Sequence, residues 1–291
     1  MRFLILAAAV ATLATACTPS VDADLDTAGH SVNMYPMYLM ALMDSMAYES
    51  DSAIAAYYGD ELLAIGEQPG WDGKFFVLVD HEAGDLAIAV RGTANWQNML
   101  TDADIVKVQD NELGIPIHEG FLKAAEELHD SRAPIVTAYP AYTSHLTGHS
   151  LGGAVAAIEM MHLKAAGLKV GWTITFGQPK VTTLDGGNKY ESDSIIRVIN
   201  HNDPIPLVPP NNPNHHNGGY VHFGKGLMLL DSIYWVGIGD KATEDAAVNS
   251  FWANLGEETP GDHSIARYCA YMRCKLDTAV EVLYNDRAQY E

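Results

Sequence analysis

The stretch Thr147-Gly148-His149-Ser150-Leu151-Gly152-Gly153 decides the predicted fold. Residues 142–147, just before the central serine, are rich in β-formers and predict a strand. Residues 154–166 predict a helix, and Gly167 stands where a helix-ending glycine is expected. A strand, a sharp turn and a helix around Gly-x-Ser-x-Gly form the setting of a nucleophile elbow, in which close backbone packing requires glycine beside the serine. Ser150 is then expected at a helix N-terminus, where backbone N–H groups favour developing negative charge.

The composition indicates a globular protein with one large core. The chain has 291 residues, of which 48% are hydrophobic and 19% charged, and this size suits a single α/β domain. The formal net charge is −20, from 37 acidic and 17 basic side chains. Nucleic acid is excluded as an expected partner, because phosphate binding requires a basic surface.

The rest of the chain alternates between strand and helix patterns. Such alternation predicts an α/β fold with a mostly parallel central sheet flanked by helices. In such sheets the functional residues lie at the carboxyl ends of the strands. Ser150 and Asp203 each follow the end of a predicted strand. Predicted strands cover residues 74–79, 85–90, 172–176, 194–199 and a β-rich part of 220–238; predicted helices cover one or two segments of 37–58, 118 to about 129, and 265 to about 284. A loop is predicted at 110–116, and Pro134 and Pro140 are expected to bound a connection between elements.

The N-terminus has a composition of its own. Residues 1–16 predict a signal peptide, because a short apolar run follows Arg2 and is too short to span a bilayer comfortably. Residues 17–33 predict an acidic tether, and residues 34–291 a single domain. Small residues before Cys17 resemble a bacterial lipobox and favour a lipid anchor at Cys17 over simple secretion. Either route predicts an exported protein, in the cell envelope or outside the cell.

The other two cysteines, Cys269 and Cys274, lie in the predicted last helix. Side chains five residues apart on a helix point roughly 140° away from each other. We therefore expect free, packed thiols at both positions instead of a bridge between them.

Beyond the serine motif, a set of short motifs makes the chain resemble the class 3 lipases, the fungal-type triacylglycerol lipase family of the α/β-hydrolase superfamily. The resemblance covers residues from about 74 to 268, in family order. It is specific because many pieces agree in both sequence and order. The pieces are Val90-Arg91-Gly92-Thr93, His118-x-Gly120-Phe121, 147–153, Thr175-Phe176-Gly177-Gln178-Pro179, Asn202-Asp203-Pro204-Ile205-Pro206, Gly219-Tyr220-x-His222 and Asp262-His263.

The resemblance implies an α/β-hydrolase fold and a set of site residues. It implies Ser150 as the nucleophile, Asp203 as the orienting acid and His263 as the general base. These residues follow in the chain order Ser, Asp, His of α/β-hydrolases. The first oxyanion donor is implied at Thr93 and the second at the backbone N–H of Leu151.

The resemblance also implies that the segment after Thr93 forms a short helical lid. Asp102 matches the acid that holds the hydroxyl residue of the oxyanion hole. Trp96, Met99 and Leu100 form one apolar stripe on the predicted helix, which suits either a lid or ordinary core. The segment from Gly224 to Asp240 has no counterpart in the family that can be aligned.

Some positions leave alternatives open at the level of sequence. His222 also follows Asp203, but it lies in an apolar strand pattern that favours a packed histidine over a base. Asp185 and Asp193 lie in polar loops and lack the strand-end position of Asp203. His215-His216 is a weak metal signal without further ligands, and the sequence predicts neither a metal nor a cofactor.

The predicted function is carboxylic ester hydrolysis of acylglycerols, through an acyl-enzyme, at a lipid–water interface. Two alternatives on the same scaffold are a phospholipase A1 and a feruloyl-type esterase. A third, from another class, is a non-catalytic envelope lipoprotein that binds lipid. The complete set of Ser150, Asp203 and His263 argues against this third alternative.

Overall fold

The fold is taken from a computed structural model of the whole chain. The structure describes residues 32–93, 106–191, 195–200, 202–209, 219–239 and 260–291. The predicted signal peptide and most of the tether, including Cys17, lie outside these ranges. So do Asp102, Asp193, His215, His216 and the three residues of the predicted lid stripe, Trp96, Met99 and Leu100.

Helices and strands alternate through the described residues, as the sequence predicts. The helices are α1 (Tyr35–Met46), α2 (Asp51–Tyr58), α3 (Glu119–Ala138), α4 (Leu151–Ala165), α5 (Leu184–Tyr190) and α6 (Ile265–Arg273). The strands are β1 (Leu62–Gln68), β2 (Gly73–Asp80), β3 (Asp85–Arg91), β4 (Lys107–Asp110), β5 (Ile115–His118), β6 (Thr143–His149), β7 (Val170–Phe176), β8 (Thr182–Thr183), β9 (Ile195–Asn200), β10 (Tyr220–Val221), β11 (Lys225–Leu229), β12 (Tyr234–Ile238) and β13 (Val280–Glu281). None of the described helices has the length and hydropathy needed to cross a membrane.

Within the described ranges, nine strands form the central sheet in the order β1-β2-β3-β6-β7-β9-β11-β12-β13. The run from β3 through β6, β7 and β9 to β11 is parallel, and antiparallel pairs occur at β1–β2, β2–β3 and β11–β12. This confirms the prediction of a mostly parallel sheet. The segment without an alignable counterpart, 224–240, supplies β11 and β12 and so widens this sheet.

Hydrophobic side chains cover both faces of the sheet. In β2, Phe75, Val77 and Val79 pack into the core under α3 and α4, whereas Phe76 and Leu78 pack into the core under α1 and α6. Because successive side chains of a strand point to opposite faces, a strand with two covered faces is a continuous apolar run. The run 74–79 therefore predicts a central strand correctly.

Parallel strands bring four chain segments to one edge of the sheet. Strands β3, β6, β7 and β9 end at Arg91, His149, Phe176 and Asn200. Gly92-Thr93, Ser150, Gly177 and Asp203 follow these ends directly or within three residues. The topology alone therefore places the predicted site residues of these loops at a common edge.

Several local predictions are wrong. The predicted loop 110–116 is a turn and the start of β5, in a second, antiparallel sheet with the order β10-β8-β5-β4 among the described residues. Pro116 suggested a loop, but β5 is short and the Pro116 carbonyl accepts the Thr182 hydroxyl at 2.7 Å. Pro134 lies inside α3 and does not end it.

The C-terminal helix is shorter than predicted. It ends at Arg273, and the chain then adds β13 to the edge of the central sheet beside β12. Sheet pairing therefore replaces the helix that was predicted to continue to about Tyr284. Cys269 is a free thiol, as expected, but Cys274 is disulfide-bonded. The expectation of a free thiol at Cys274 is therefore wrong: helix geometry argues only against a bridge between Cys269 and Cys274, not against a bridge from Cys274 to another cysteine.

Candidate active site

Ser150 occupies a strained turn between β6 and α4. Its φ is 61° and its ψ −131°, a backbone conformation that a non-glycine residue adopts only when its surroundings enforce it. The Ser150 N–H donates to the Phe176 carbonyl at 2.9 Å, which ties the turn to β7. A Cβ on Gly148 would lie 2.2 Å from the Gly152 oxygen, and one on Gly152 would lie 2.1 Å from the Val90 oxygen. The two glycines therefore allow β6, α4 and β3 to pack at the spacing that fixes the turn.

Three side chains from distant parts of the chain meet at Ser150. His263 Nε2 lies 2.8 Å from Ser150 Oγ, and His263 Nδ1 lies 2.8 Å from Asp203 Oδ2 and 3.0 Å from Asp203 Oδ1. All three residues are at most 2% exposed. Their separation from bulk water strengthens the electrostatic interactions among them. The structure therefore joins the three residues for which the sequence predicts a shared reaction.

Asp203 is held by two further donors. The Ile205 backbone N–H donates to Oδ1 at 2.9 Å, and the Tyr268 hydroxyl donates to Oδ2 at 2.6 Å. Burial and the neighbouring Asp203 carboxylate keep the Tyr268 pKa well above its ordinary value, so the phenol remains a donor. Gly177 has a φ of +57°, and a Cβ there would lie 2.7 Å from Asp203 Oδ2. Tyr268 is not predicted from the sequence, because its only signal is its place on the helix that follows His263.

The loop with Thr93 lies against the start of α4. A Cβ on Gly92 would lie 2.7 Å from the His149 oxygen and 3.1 Å from the Leu151 nitrogen. Gly92 therefore brings the segment that contains Thr93 next to the first N–H groups of α4, which have no partner within the helix. Asp102, the predicted support of Thr93, is not among the described residues.

The competing residues lie elsewhere. His222 is buried and its Nε2 donates to the Pro206 carbonyl at 2.6 Å; burial, with the nearby charges of Arg197 and Lys180, holds its pKa well below the ordinary value. Asp185 is exposed on α5. His118 caps α3 by accepting the Phe121 N–H. Each of these has a structural explanation that does not involve Ser150.

A second cluster of titratable groups lies between α3 and α4. His129, Glu159 and His162 place one potential metal ligand each within 4.8 Å of one another. Arg132, however, donates to His129 Nδ1 at 2.7 Å and forms an ion pair with the buried Glu159. The guanidinium thus engages two of the three ligand groups and neutralises the carboxylate. We assign this cluster to the packing of α3 on α4.

Comparison with known proteins agrees with this geometry. The sequence profile of the family Lipase (class 3) matches residues 87–212. Over these residues the chain resembles the class 3 lipase family. The match includes the serine motif and Asp203, whereas α1 and His263 lie outside it. The resemblance inferred from the short motifs is therefore confirmed.

Lipases from fungi are similar to this chain in sequence and in fold. The chain is 32% identical over 147 residues to the secreted mono- and diacylglycerol lipase 1 of Fusarium solani, which covers 46% of this chain and 42% of that protein. It is 30% identical over 158 residues to a lipase of Rhizomucor miehei, covering 50% and 42% respectively. The aligned part thus spans about half the length of these curated relatives.

A solved structure supports the fold. The lipase from Rhizopus microsporus var. chinensis superposes with a TM-score of 0.64 at 22% identity, covering 87% of this chain and 95% of that one. At this identity the likeness establishes the fold alone. The predicted α/β-hydrolase fold is thereby confirmed.

Proposed function

We propose that this protein is a serine hydrolase of the class 3 lipase family that cleaves acylglycerol esters. The observation that carries the proposal is the continuous hydrogen-bonded connection from Ser150 Oγ through His263 to Asp203. A serine hydroxyl is a weak nucleophile unless a base removes its proton. His263 Nε2 is within reach to accept that proton, and Asp203 accepts the Nδ1 proton and stabilises the imidazolium.

The reaction then proceeds in two balanced halves. Ser150 Oγ adds to the ester carbonyl while its proton passes to His263, and the resulting tetrahedral oxyanion collapses and releases the alcohol, which takes the proton from His263. Water then adds to the acyl-enzyme carbonyl while one of its protons passes to His263; the second oxyanion collapses, the carboxylic acid leaves, and His263 returns the proton to Ser150 Oγ. Both halves use the same three side chains.

The oxyanion requires donors at the sheet edge. We assign the backbone N–H of Leu151 and a donor of Thr93 to this role, since the Gly92 contacts bring their segments together. Preorganised donors of this kind contribute about 3–4 kcal/mol each to lowering the barrier. The N-terminus of α4 adds a favourable dipole at the same point.

Acylglycerol is proposed as the substrate class because the Fusarium relative is named as a mono- and diacylglycerol lipase. The family resemblance also supports a lid after Thr93, with the stripe of Trp96, Met99 and Leu100. A lid that opens at a lipid surface makes emulsified ester a better substrate than the same ester dissolved as monomer. An activity that does not increase across the solubility limit would argue for an uncovered site.

Hydrolysis of p-nitrophenyl acyl esters and of mono-, di- and triacylglycerols tests the proposal, with Ser150→Ala as the matched variant. We expect the wild type to hydrolyse both classes and the variant to lose nearly all activity. If a phospholipid or a feruloyl ester were the preferred substrate, the proposed mechanism would stand but acylglycerol would no longer be the proposed substrate class. Undiminished activity in the variant would remove the mechanism.

We also propose that the protein is exported, because residues 1–16 have the pattern of a signal peptide and a relative is named as secreted. A lipid anchor at Cys17 remains a prediction. A lipidated sulfur cannot also form a disulfide, and Cys274 is disulfide-bonded. Mass spectrometry of the mature N-terminus, together with non-reducing peptide mapping, tests the anchor; a bridge from Cys274 to Cys17 would contradict it.

A further inference from the structure

The residue before the serine, His149, contacts the main chain of the proposed general base. Its Nε2 lies 2.7 Å from the His263 carbonyl oxygen, and the two imidazole rings lie 4.6 Å apart with planes inclined by 33°. A carbonyl only accepts hydrogen bonds, so Nε2 carries the proton and donates it. His149 therefore fixes the backbone of the residue whose ring Asp203 fixes from the other side.

The hydrogen bond at the other ring nitrogen extends this connection to the N-terminal part of the chain. The Tyr48 hydroxyl lies 2.7 Å from His149 Nδ1. Because Nε2 holds the proton of the neutral ring, Nδ1 accepts, and Tyr48 is the donor. Burial and the neighbouring His263 hold the His149 pKa well below its ordinary value, which agrees with a neutral ring of this single tautomer.

Tyr48 is itself held in place. It follows α1 in a tight turn, in which its N–H donates to the Ser45 carbonyl at 3.2 Å. Four residues earlier, Asp44 accepts the Thr147 hydroxyl at 2.9 Å. Thr147 and His149 are two residues apart in β6 and therefore point to the same face of the sheet. Asp44, in the last turn of α1, contacts Thr147, and Tyr48, just after α1, contacts His149.

We propose that Tyr48 is a positioning residue for ester hydrolysis, which acts through His149 to hold the His263 main chain in register with Ser150. The inference rests on the proposed function and adds to it a segment that lies outside the residues matched by the family profile. Asn200 acts in parallel, since its Nδ2 donates to the adjacent Asp262 carbonyl at 2.9 Å. The loop that carries His263 is thus fixed at two consecutive carbonyls.

The test is Tyr48→Phe, with Tyr58→Phe as the matched control. Tyr48 is 37% exposed, whereas Tyr58 is buried, and the Tyr58 hydroxyl makes no hydrogen bond within the described residues. We expect Tyr48→Phe to lower kcat on the order of tenfold, the rate equivalent of one lost hydrogen bond, with an unchanged KM. Tyr58→Phe should retain the wild-type kcat.

Two His149 variants separate positioning from folding. Glutamine retains one donor and one acceptor, whereas leucine has neither, so His149→Gln should keep more activity than His149→Leu at similar thermal stability. Adding Tyr48→Phe to His149→Leu should cost no further activity, because the connection is already broken.

Three results would overturn the proposal. The first is a kcat for Tyr48→Phe equal to that of Tyr58→Phe. The second is a raised KM at unchanged kcat, which would make Tyr48 a substrate contact. The third is a loss in the double variant equal to the product of the single losses. A wild-type protein without Ser150-dependent ester hydrolysis would instead be a failure of the proposed function.

Discussion

Gly152→Ala tests whether close backbone packing sets the elbow. The new Cβ would lie 2.1 Å from the Val90 oxygen and 2.8 Å from the Arg91 carbonyl carbon. Ordinary contact begins near 3.4 Å, so α4 and β3 must separate by about 1.3 Å. Both neighbouring atoms belong to the backbone of a central strand, which cannot rotate away. We therefore expect a stability loss at the upper end of overpacking effects, about 3 kcal/mol.

The same shift displaces Ser150, because the serine caps α4. Its oxygen would leave the 2.8 Å hydrogen bond with His263, and a misplacement of about 1 Å costs roughly 10²-fold in rate. Gly239→Ala is the matched control, since a Cβ there meets nothing within 4 Å. Urea unfolding and ester hydrolysis measure both effects. If Gly152→Ala matched Gly239→Ala in stability and in kcat, the packing explanation of the elbow would be refuted.

Three further substitutions give separate expectations. Asp203→Asn should lower kcat by about 10⁴-fold, the loss that triads show when the histidine tautomer is no longer fixed; a loss below tenfold in the ester assay would contradict the role of Asp203. Burial raises the Asp44 pKa well above its ordinary value. As pH rises from about 4 through the folded-state pKa, the free energy of unfolding should therefore fall, by at most about 1.4 kcal/mol per pH unit. Urea unfolding should find Asp44→Asn more stable than the wild type at neutral pH, and an equal pH dependence in both would contradict this. Burial lowers the Lys275 pKa to about 7. Between pH 7 and 10 this lysine therefore carries a proton in the unfolded chain but not in the folded one, and the free energy of unfolding of the wild type should rise with pH relative to that of Lys275→Met. Urea-unfolding free energies with the same pH dependence in both proteins would contradict this.

The elbow could be predicted because its determinants are local. Glycines at 148 and 152, a β-rich stretch before the serine and a helical stretch after it all lie within residues 142–166. Asp203 could be predicted for a similar reason, since the strand before it and Pro204 after it mark a strand end in the sequence. The predicted strands 74–79 and 85–90 are apolar after their first residue, as strands with two covered faces require.

The missed features depend on contacts between distant segments. Tyr48 and Tyr268 lie 101 and 65 residues from their hydrogen-bond partners, His149 and Asp203 respectively, and neither tyrosine belongs to a motif. The strands β8 and β10 have two residues each, too few to produce a period in the sequence. Pro134 shows the limit of a local rule, because the packing of α3 on α4 sustains the helix past a residue that usually ends one.

Labelling with a fluorophosphonate tests the central claim most directly. Such a reagent phosphonylates an activated serine, whose oxygen forms a bond to phosphorus while fluoride leaves, and mass spectrometry of the digested protein identifies the residue. The account predicts stoichiometric modification of Ser150, none in Ser150→Ala, and far slower modification in Asp203→Asn. Modification of a different serine, or ester hydrolysis that continues in a protein whose Ser150 is fully modified, would contradict it.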